Sequence, residues 1–236
     1  MSAQKVLDNR GVLTRGIVPD WAQMITCGVD VQQNCLYYAV DAWGQGKKIY
    51  HLDHGCIKGT DFNTLWDIIN QTYYNERGQD WYIDLALIDS GDQTDLVYDF
   101  CYLHFPLTVP VKGSSRPIPA RFRRSEIQKE DSVAKGLSLI MCDGSYYKSM
   151  LYAKINAVDG SFQVFDGVDQ EYCEQVTSEH KVFERKNGVE SWVWQKKTSD
   201  AQNHYLDCEV YASCAADLMG GFALLEEPVE QPEAEV

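Results

Sequence analysis

Met24-Ile25-Thr26-Cys27-Gly28-Val29-Asp30-Val31 is an apolar run interrupted by one carboxylate, Asp30. After Gln32-Gln33-Asn34 comes Cys35-Leu36-Tyr37-Tyr38-Ala39-Val40-Asp41-Ala42-Trp43, and after Gly44-Gln45-Gly46 comes Lys48-Ile49-Tyr50-His51-Leu52-Asp53-His54. Three β-rich runs joined by links this short form an antiparallel meander. The first run is apolar on both faces, so it reads as a buried strand carrying an acid inside.

Beyond the meander the period changes. Phe62, Leu65, Trp66, Ile69 and Tyr73 recur at helical spacing behind Asp61, a candidate N-cap. Ile83 to Asp89 is an apolar strand with an acid at its C-terminal end, followed by a helix over Asp92 to Leu103 and a short strand at Leu107 to Val111. The order β-β-β-α-β-α-β is an α/β pattern with an antiparallel front half. Gly113 to Lys135, rich in Ser, Pro and Arg, has no period and reads as a loop or arm. The remainder reads as a strand at Leu137 to Met141, a helix at Tyr146 to Ile155 and a strand at Ser161 to Phe165. A helix at Glu171 to Glu179 follows, then a hairpin turning at Asn187-Gly188, and a last helix from Asn203 to Met219 closed by Gly220-Gly221. Domain boundaries follow: an N-terminal extension at 1–20, one domain at 21–221, and an acidic tail without order at 222–236.

The chain has 236 residues, 44% of them hydrophobic and 24% charged, which fits a soluble globular protein of one large domain or two small ones. No run approaches the ~20 apolar residues of a membrane helix, and the N-terminus lacks the apolar core of a secretory signal. Lys+Arg 21 against Asp+Glu 35 gives a net charge of -14, which excludes a protein that coats nucleic acid by bulk positive charge. The positive charge is local: Arg116, Arg121, Arg123, Arg124 and Lys129 lie between Lys112 and Lys135. The eight cysteines include no Cys-x-x-Cys spacing and no accompanying His cluster, so zinc is not expected, and all are read as reduced structural thiols.

Three aspartates sit where a carboxylate costs energy. Asp30 interrupts a buried strand, Asp89 ends another, and Asp207 lies inside the last helix. If the first strand pairs parallel with the fourth, Asp30 and Asp89 become neighbours, and a C-terminal helix packed over that edge brings Asp207 to them. Three hard oxygen ligands suit Mg²⁺ or Mn²⁺. Two such ions about 4 Å apart activate water and stabilise the leaving oxygen of a phosphodiester. The rival reading makes Asp89 a helix cap and Asp207 a solvated residue.

Further residues carry paired readings. His204, three positions before Asp207, either serves the site or caps the helix. Asp92 is a helix N-cap or an acid behind Asp89, the cap being favoured. Lys112, Arg121, Arg123 and Arg124 either hold DNA phosphates or form a solvated basic loop. Trp192 and Trp194 share a strand face, where packing is favoured over base stacking. Gln32 is an amide at the position where proofreading-type exonucleases place a second acid.

In order along the chain, Gly28-Val29-Asp30-Val31-Gln32, Trp43-Gly44, Ile88-Asp89-Ser90-Gly91, Val111-Lys112-Gly113 and Asn203-x-x-Leu206-Asp207-Cys208 before Tyr211-Ala212 resemble the nuclease domain of phage terminase large subunits of the lambda type, the terminase GpA family. Lys148 before Leu151-Tyr152, and Glu171-Tyr172 with Gln175 through Glu179, agree as lesser landmarks. The resemblance implies an RNase H-like fold: a mixed sheet, meander first and parallel strands after, flanked by helices, with an extra β-hairpin before the C-terminal helix. It also implies a metal-dependent endonuclease cutting double-stranded DNA during viral genome packaging. Asp30 then bridges two Mg²⁺ or Mn²⁺ ions, Asp89 is the fourth-strand ligand and Asp207 the helix-borne ligand of the second ion. Lys148 joins the DNA-binding candidates. His204 departs from the family, which usually has Glu after the Asn.

The implied partners are double-stranded DNA, a packaging ATPase region on the same or a separate chain, the terminase small subunit and the portal or procapsid. No membrane partner is implied, and the implied location is the cytoplasm of an infected or lysogenic bacterial host. No Gly-x-x-x-x-Gly-Lys-Ser/Thr loop occurs, so translocation is not expected of this chain itself. The rival functions are another RNase H-like nuclease, acting on junctions or RNA–DNA hybrids, and an assembly module without turnover.

Overall fold

The computed structural model describes residues 1–114, 118–186 and 188–224. Strands β3 (Met24–Gln32), β4 (Cys35–Gly44) and β5 (Lys48–Lys58) form the meander, following α1 (Ala3–Asp8), β1 (Arg10–Thr14) and β2 (Ile17–Val18). Next come α2 (Phe62–Ile69), β6 (Tyr73–Asn75), β7 (Asp80–Trp81), β8 (Leu85–Asp89), α3 (Thr94–Leu103), β9 (Thr108–Gly113), β10 (Phe122–Glu126) and β11 (Ser138–Cys142). The chain continues through α4 (Gly144–Asn156), β12 (Phe162–Asp166), α5 (Gln170–Val176), the hairpin β13 (Glu179–Lys186) and β14 (Val189–Lys196), α6 (His204–Leu218) and α7 (Gly221–Leu224).

Among the described residues, nine strands form one sheet in the order β1-β12-β5-β4-β3-β8-β9-β11-β10. The β3–β4–β5 pairs are antiparallel, whereas β3–β8, β8–β9 and β9–β11 are parallel. This is the α/β, RNase H-like mixed sheet with helices on its faces, and the extra hairpin precedes α6 as expected. Nearly all of β3 is buried, between β4 and β8 in the sheet and under α6, which packs on the central strands. Almost every residue of α6 from Tyr205 to Asp217 is buried, the signature of a helix enclosed on all sides. Aspartates begin three helices: Asp61 caps α2, Asp143 caps α4 and Asp169 caps α5, each accepting from backbone N–H groups one turn in.

Several expectations need correction. The stretch 113–135 is not all loop: β10 runs antiparallel to β11 at the sheet edge. Its Phe-Arg-Arg-Ser-Glu sequence has no alternation because only Phe122 turns inward, the other side chains being exposed. Segment 1–20 is built into the fold, since β1 extends the sheet beside β12 and β2 pairs with β6. Cys35 and Cys56 form a disulfide, while the other six cysteines are buried thiols. The two lie 21 residues apart and meet only because Tyr37 pairs with Cys56 across β4 and β5. Asp92 does not cap α3; that place belongs to Gln93, whose φ is 47°. Arg116, Asn187 and the tail from 225 onward lie outside the described residues. Among the described residues no helix is long and apolar enough to cross a membrane.

Candidate active site

Register places the first two acids side by side. Val29 pairs with Ile88 in the parallel β3–β8 ladder, so the next residues, Asp30 and Asp89, stand side by side where that ladder ends. Helix α6 reaches them because β3 offers it a glycine. A Cβ on Gly28 would stand 1.9 Å from the Cys208 carbonyl oxygen and 2.6 Å from the Ala212 nitrogen, so only glycine admits the helix this close. The contact is pinned by Thr26, whose hydroxyl donates to the Ala212 carbonyl (2.8 Å) and accepts from the Trp43 indole N–H (2.8 Å).

One face of α6 then meets all the acids. His204, Asp207 and Tyr211 follow at helical spacing. His204 Nδ1 lies 2.7 Å from Asp30 Oδ2, and its ring stacks on Tyr37 at 4.4 Å between centroids. Asp207 is on the helix itself, and the Tyr211 hydroxyl donates to Asp89 Oδ1 at 3.3 Å. Asp30 also accepts from the Gln32 amide, 3.0 Å to each carboxylate oxygen, a donation that a Glu at position 32 could not make. His204 is therefore no cap: its side chain is spent on Asp30, and the N-cap, Asn203, makes no side-chain capping bond.

The three acids feel one another. Burial, and next the charge of Asp30, push Asp89 up to about 7. Burial pushes Asp207 up to about 6 despite Lys148, with Asp30 and Glu179 adding to the rise. Carboxylates crowded this way, with oxygen-only donors, suit hard divalent cations, which would relieve the repulsion. Their ligand atoms do not all come within 4.8 Å of one another.

Residues the sequence marked only as landmarks or as a DNA-binding candidate complete the setting. Lys148, on α4, donates to both Glu179 oxygens (2.9 Å each) and lies 3.2 Å from Asp207 Oδ1. Asn203 Nδ2 donates to Glu179 Oε1 (2.8 Å) and Asp207 Oδ2 (2.9 Å). Glu179 opens the hairpin, and its sequence position beside α5 carries no sign that it meets Asp207. A groove of about 540 Å³ opens over Asp207, lined by Lys148, Tyr211, Ser145, Trp192 and Trp194. Trp192 packs edge-on against Phe183 across the hairpin, and Trp194 against Tyr152.

The basic candidates separate. Lys112 directly follows Val111, the register partner of Asp89 on β9. Arg123 and Arg124 are exposed on β10. Arg121 is held elsewhere, its Nε 2.8 Å from the buried Asp217 carboxylate.

A second polar cluster lies deeper. Asp41 on β4, His51 on β5 and Glu209 on α6 are fully buried, with ligand atoms all within 4.8 Å of one another. Burial acts to lower the His51 pKa, but hydrogen bonds to Asp41 and Glu209 lift it to about 9. Burial, then Glu209, push Asp41 well up, while His51 holds Glu209 below its usual value against burial.

A mixed sheet in this order, with acids on its first and fourth core strands and on the covering helix, defines the RNase H-like class. Within that class the chain belongs to the family of the terminase large subunit gpA endonuclease domain, which matches residues 1–223. No curated protein and no solved structure matches the chain. Membership makes it a nuclease domain of a terminase.

Proposed function

We propose that this domain is a two-metal endonuclease that hydrolyses double-stranded DNA during viral genome packaging, with Asp30, Asp89 and Asp207 as the metal-binding acids. The observation that supports it most is the single face of α6, which carries Asp207 and, through His204 and Tyr211, also bonds Asp30 and Asp89. Divalent cations of the Mg²⁺ or Mn²⁺ kind, bound by these carboxylates, supply the activation of water and the stabilisation of the leaving oxygen.

The rest falls to the chain's own groups. Gln32 and His204 fix the Asp30 carboxylate from two sides, leaving its other lone pairs for a ligand. Tyr211 orients Asp89, and Asn203 with Lys148 orients Asp207. His204 is in place to exchange a proton with the Asp30 carboxylate. Lys112 with exposed Arg123 and Arg124 offers phosphate contacts on the sheet edge beyond Asp89. With a net charge of -14 these contacts are local, so the isolated domain binds DNA weakly.

The test is plasmid cleavage by purified Asp30→Asn protein whose circular dichroism matches the parent. Cleavage disappears, and parent activity is lost in EDTA and regained with Mn²⁺ or Mg²⁺. Cutting at the parent rate by the variant, or in EDTA, refutes the assignment. A strong preference for four-way junctions or RNA–DNA hybrids over linear duplex would move the substrate to the rival RNase H-like class.

A further inference from the structure

The geometry points to a second metal site: Asp41, His51 and Glu209 form a buried structural centre for one divalent transition cation of the Zn²⁺ type, apart from Asp30, Asp89 and Asp207. It does not depend on the nuclease reading. Asp41 and His51 are direct cross-strand partners in the β4–β5 ladder, beside a register shift at Val40/Asp41, and α6 lays Glu209 over both. His51 Nδ1 stands 2.9 Å from Asp41 Oδ1 and 3.1 Å from Glu209 Oε1. Ligands at ~2.0 Å around a tetrahedral ion stand ~3.3 Å apart, so the donor atoms are already near that spacing.

The hydrogen-bond chain behind His51 settles its tautomer. Asp169 caps α5, and its Oδ2 lies 2.8 Å from His54 Nε2. A carboxylate only accepts, so His54 donates from Nε2 and its Nδ1 is the acceptor. His54 Nδ1 lies 2.9 Å from His51 Nε2, which must therefore donate. Neutral His51 thus turns the bare lone pair of Nδ1 toward two carboxylates. A histidine whose far nitrogen donates into a supporting chain while its near lone pair meets carboxylates is arranged as metal-bound histidines are.

Two further observations favour an occupant. Asp41 Oδ2 and Glu209 Oε2 are buried without any hydrogen-bond partner, while Glu209 Oε1 accepts from the Tyr172 hydroxyl at 2.7 Å. Orphaned buried carboxylate oxygens are costly, and a bidentate turn toward a cation would satisfy them. Charge also balances: two carboxylates and a neutral imidazole cancel one divalent cation. Without it, the same neutrality needs two extra protons, one on His51 Nδ1 and one shared by the carboxyls, and cation binding releases both. Imidazole with carboxylate in a closed site suits Zn²⁺ better than Mg²⁺, which keeps its waters. Full burial means that the ion enters as the chain folds and leaves slowly.

The experiment uses the full chain carrying Asp30→Asn and Asp89→Asn, so that the candidate active site does not hold the ion. Produced with zinc in the medium and passed through gel filtration in EDTA, this protein retains about one Zn²⁺ per chain by mass spectrometry of the metal. Adding Glu209→Gln removes that ion. Because that variant risks misfolding, the Asp30→Asn/Asp89→Asn protein is also unfolded in guanidinium with EDTA, then refolded with EDTA or with Zn²⁺. The zinc-refolded sample melts several degrees higher. No retained metal together with equal melting temperatures, or zinc that persists after Glu209→Gln in a folded protein, overturns the site.

Discussion

Lys148 shows how a side chain's partners redirect a reading made from its charge. As a lone basic residue it was an expected phosphate contact, yet its ammonium already has three acceptors in reach, two on Glu179 and one on Asp207. Lys148 and Glu179 are both largely buried, so removing one leaves the other uncompensated. Lys148→Met is expected to destabilise the protein by about 3 kcal/mol, and adding Glu179→Gln to restore more than half of the loss. Urea unfolding of the two single variants and the double variant measures it. A Lys148→Met protein as stable as the parent, with weaker DNA binding, would return Lys148 to the phosphate role. Arg121 makes a similar point, since its partner is Asp217 rather than solvent.

Between elements, the site depends on how closely α6 approaches β3. Gly28 leaves no room for a methyl group against the Cys208 carbonyl, and both atoms belong to rigid backbone. Gly28→Ala forces the helix away and is expected to cost about 1–3 kcal/mol as overpacking. Activity falls further than stability, because Asp207, His204 and Tyr211 all ride on the displaced helix. Melting curves and plasmid cleavage, read on the same preparation, check this. If the variant cuts normally at temperatures where it is folded, the acids do not need that approach.

Across the whole molecule, the buried chain from Asp169 through His54 and His51 to Asp41 and Glu209 ties α5, the meander and α6 together. In protein refolded free of divalent cations, it makes stability depend on pH. His51 is raised to about 9 when folded, from an ordinary 6.5, so its contribution is full below 6.5 and is lost as pH rises through about 9. Asp41, also raised, loses stability in the same direction. His54, lowered to about 4 by burial and by His51, acts in the opposite direction on the acid side, while Asp89 (about 7) and Asp207 (about 6) add to the loss as pH rises toward neutrality. The melting temperature is therefore expected to fall between pH 6.5 and 9 in metal-free protein. A flat profile over that range would mean that His51 is not charged beside Asp41, Glu209 and Tyr172.

Local pattern sufficed for the meander, the Asp61 cap, the parallel placement of Asp89 beside Asp30 and the end of α6 at Gly220, because each rests on neighbours close in sequence or on strand pairing. The three acids were legible for a related reason: a carboxylate in an apolar run costs energy that some ligand must offset. A role for His204 was legible as one of two readings, but its bond to Asp30, the service of Tyr211 and Gln32, the pairing of Lys148 with Glu179, and the Cys35–Cys56 bond were not. Nor was the cluster of Asp41, His51 and Glu209, since Asp41 and His51 read as ordinary positions on polar-edged strands. Sequence alone determined which elements form and where a buried charge must be explained. Only the folded chain decided which distant side chains meet that charge, because such contacts depend on strand register and on a helix seated against one glycine, neither of which leaves a local periodicity.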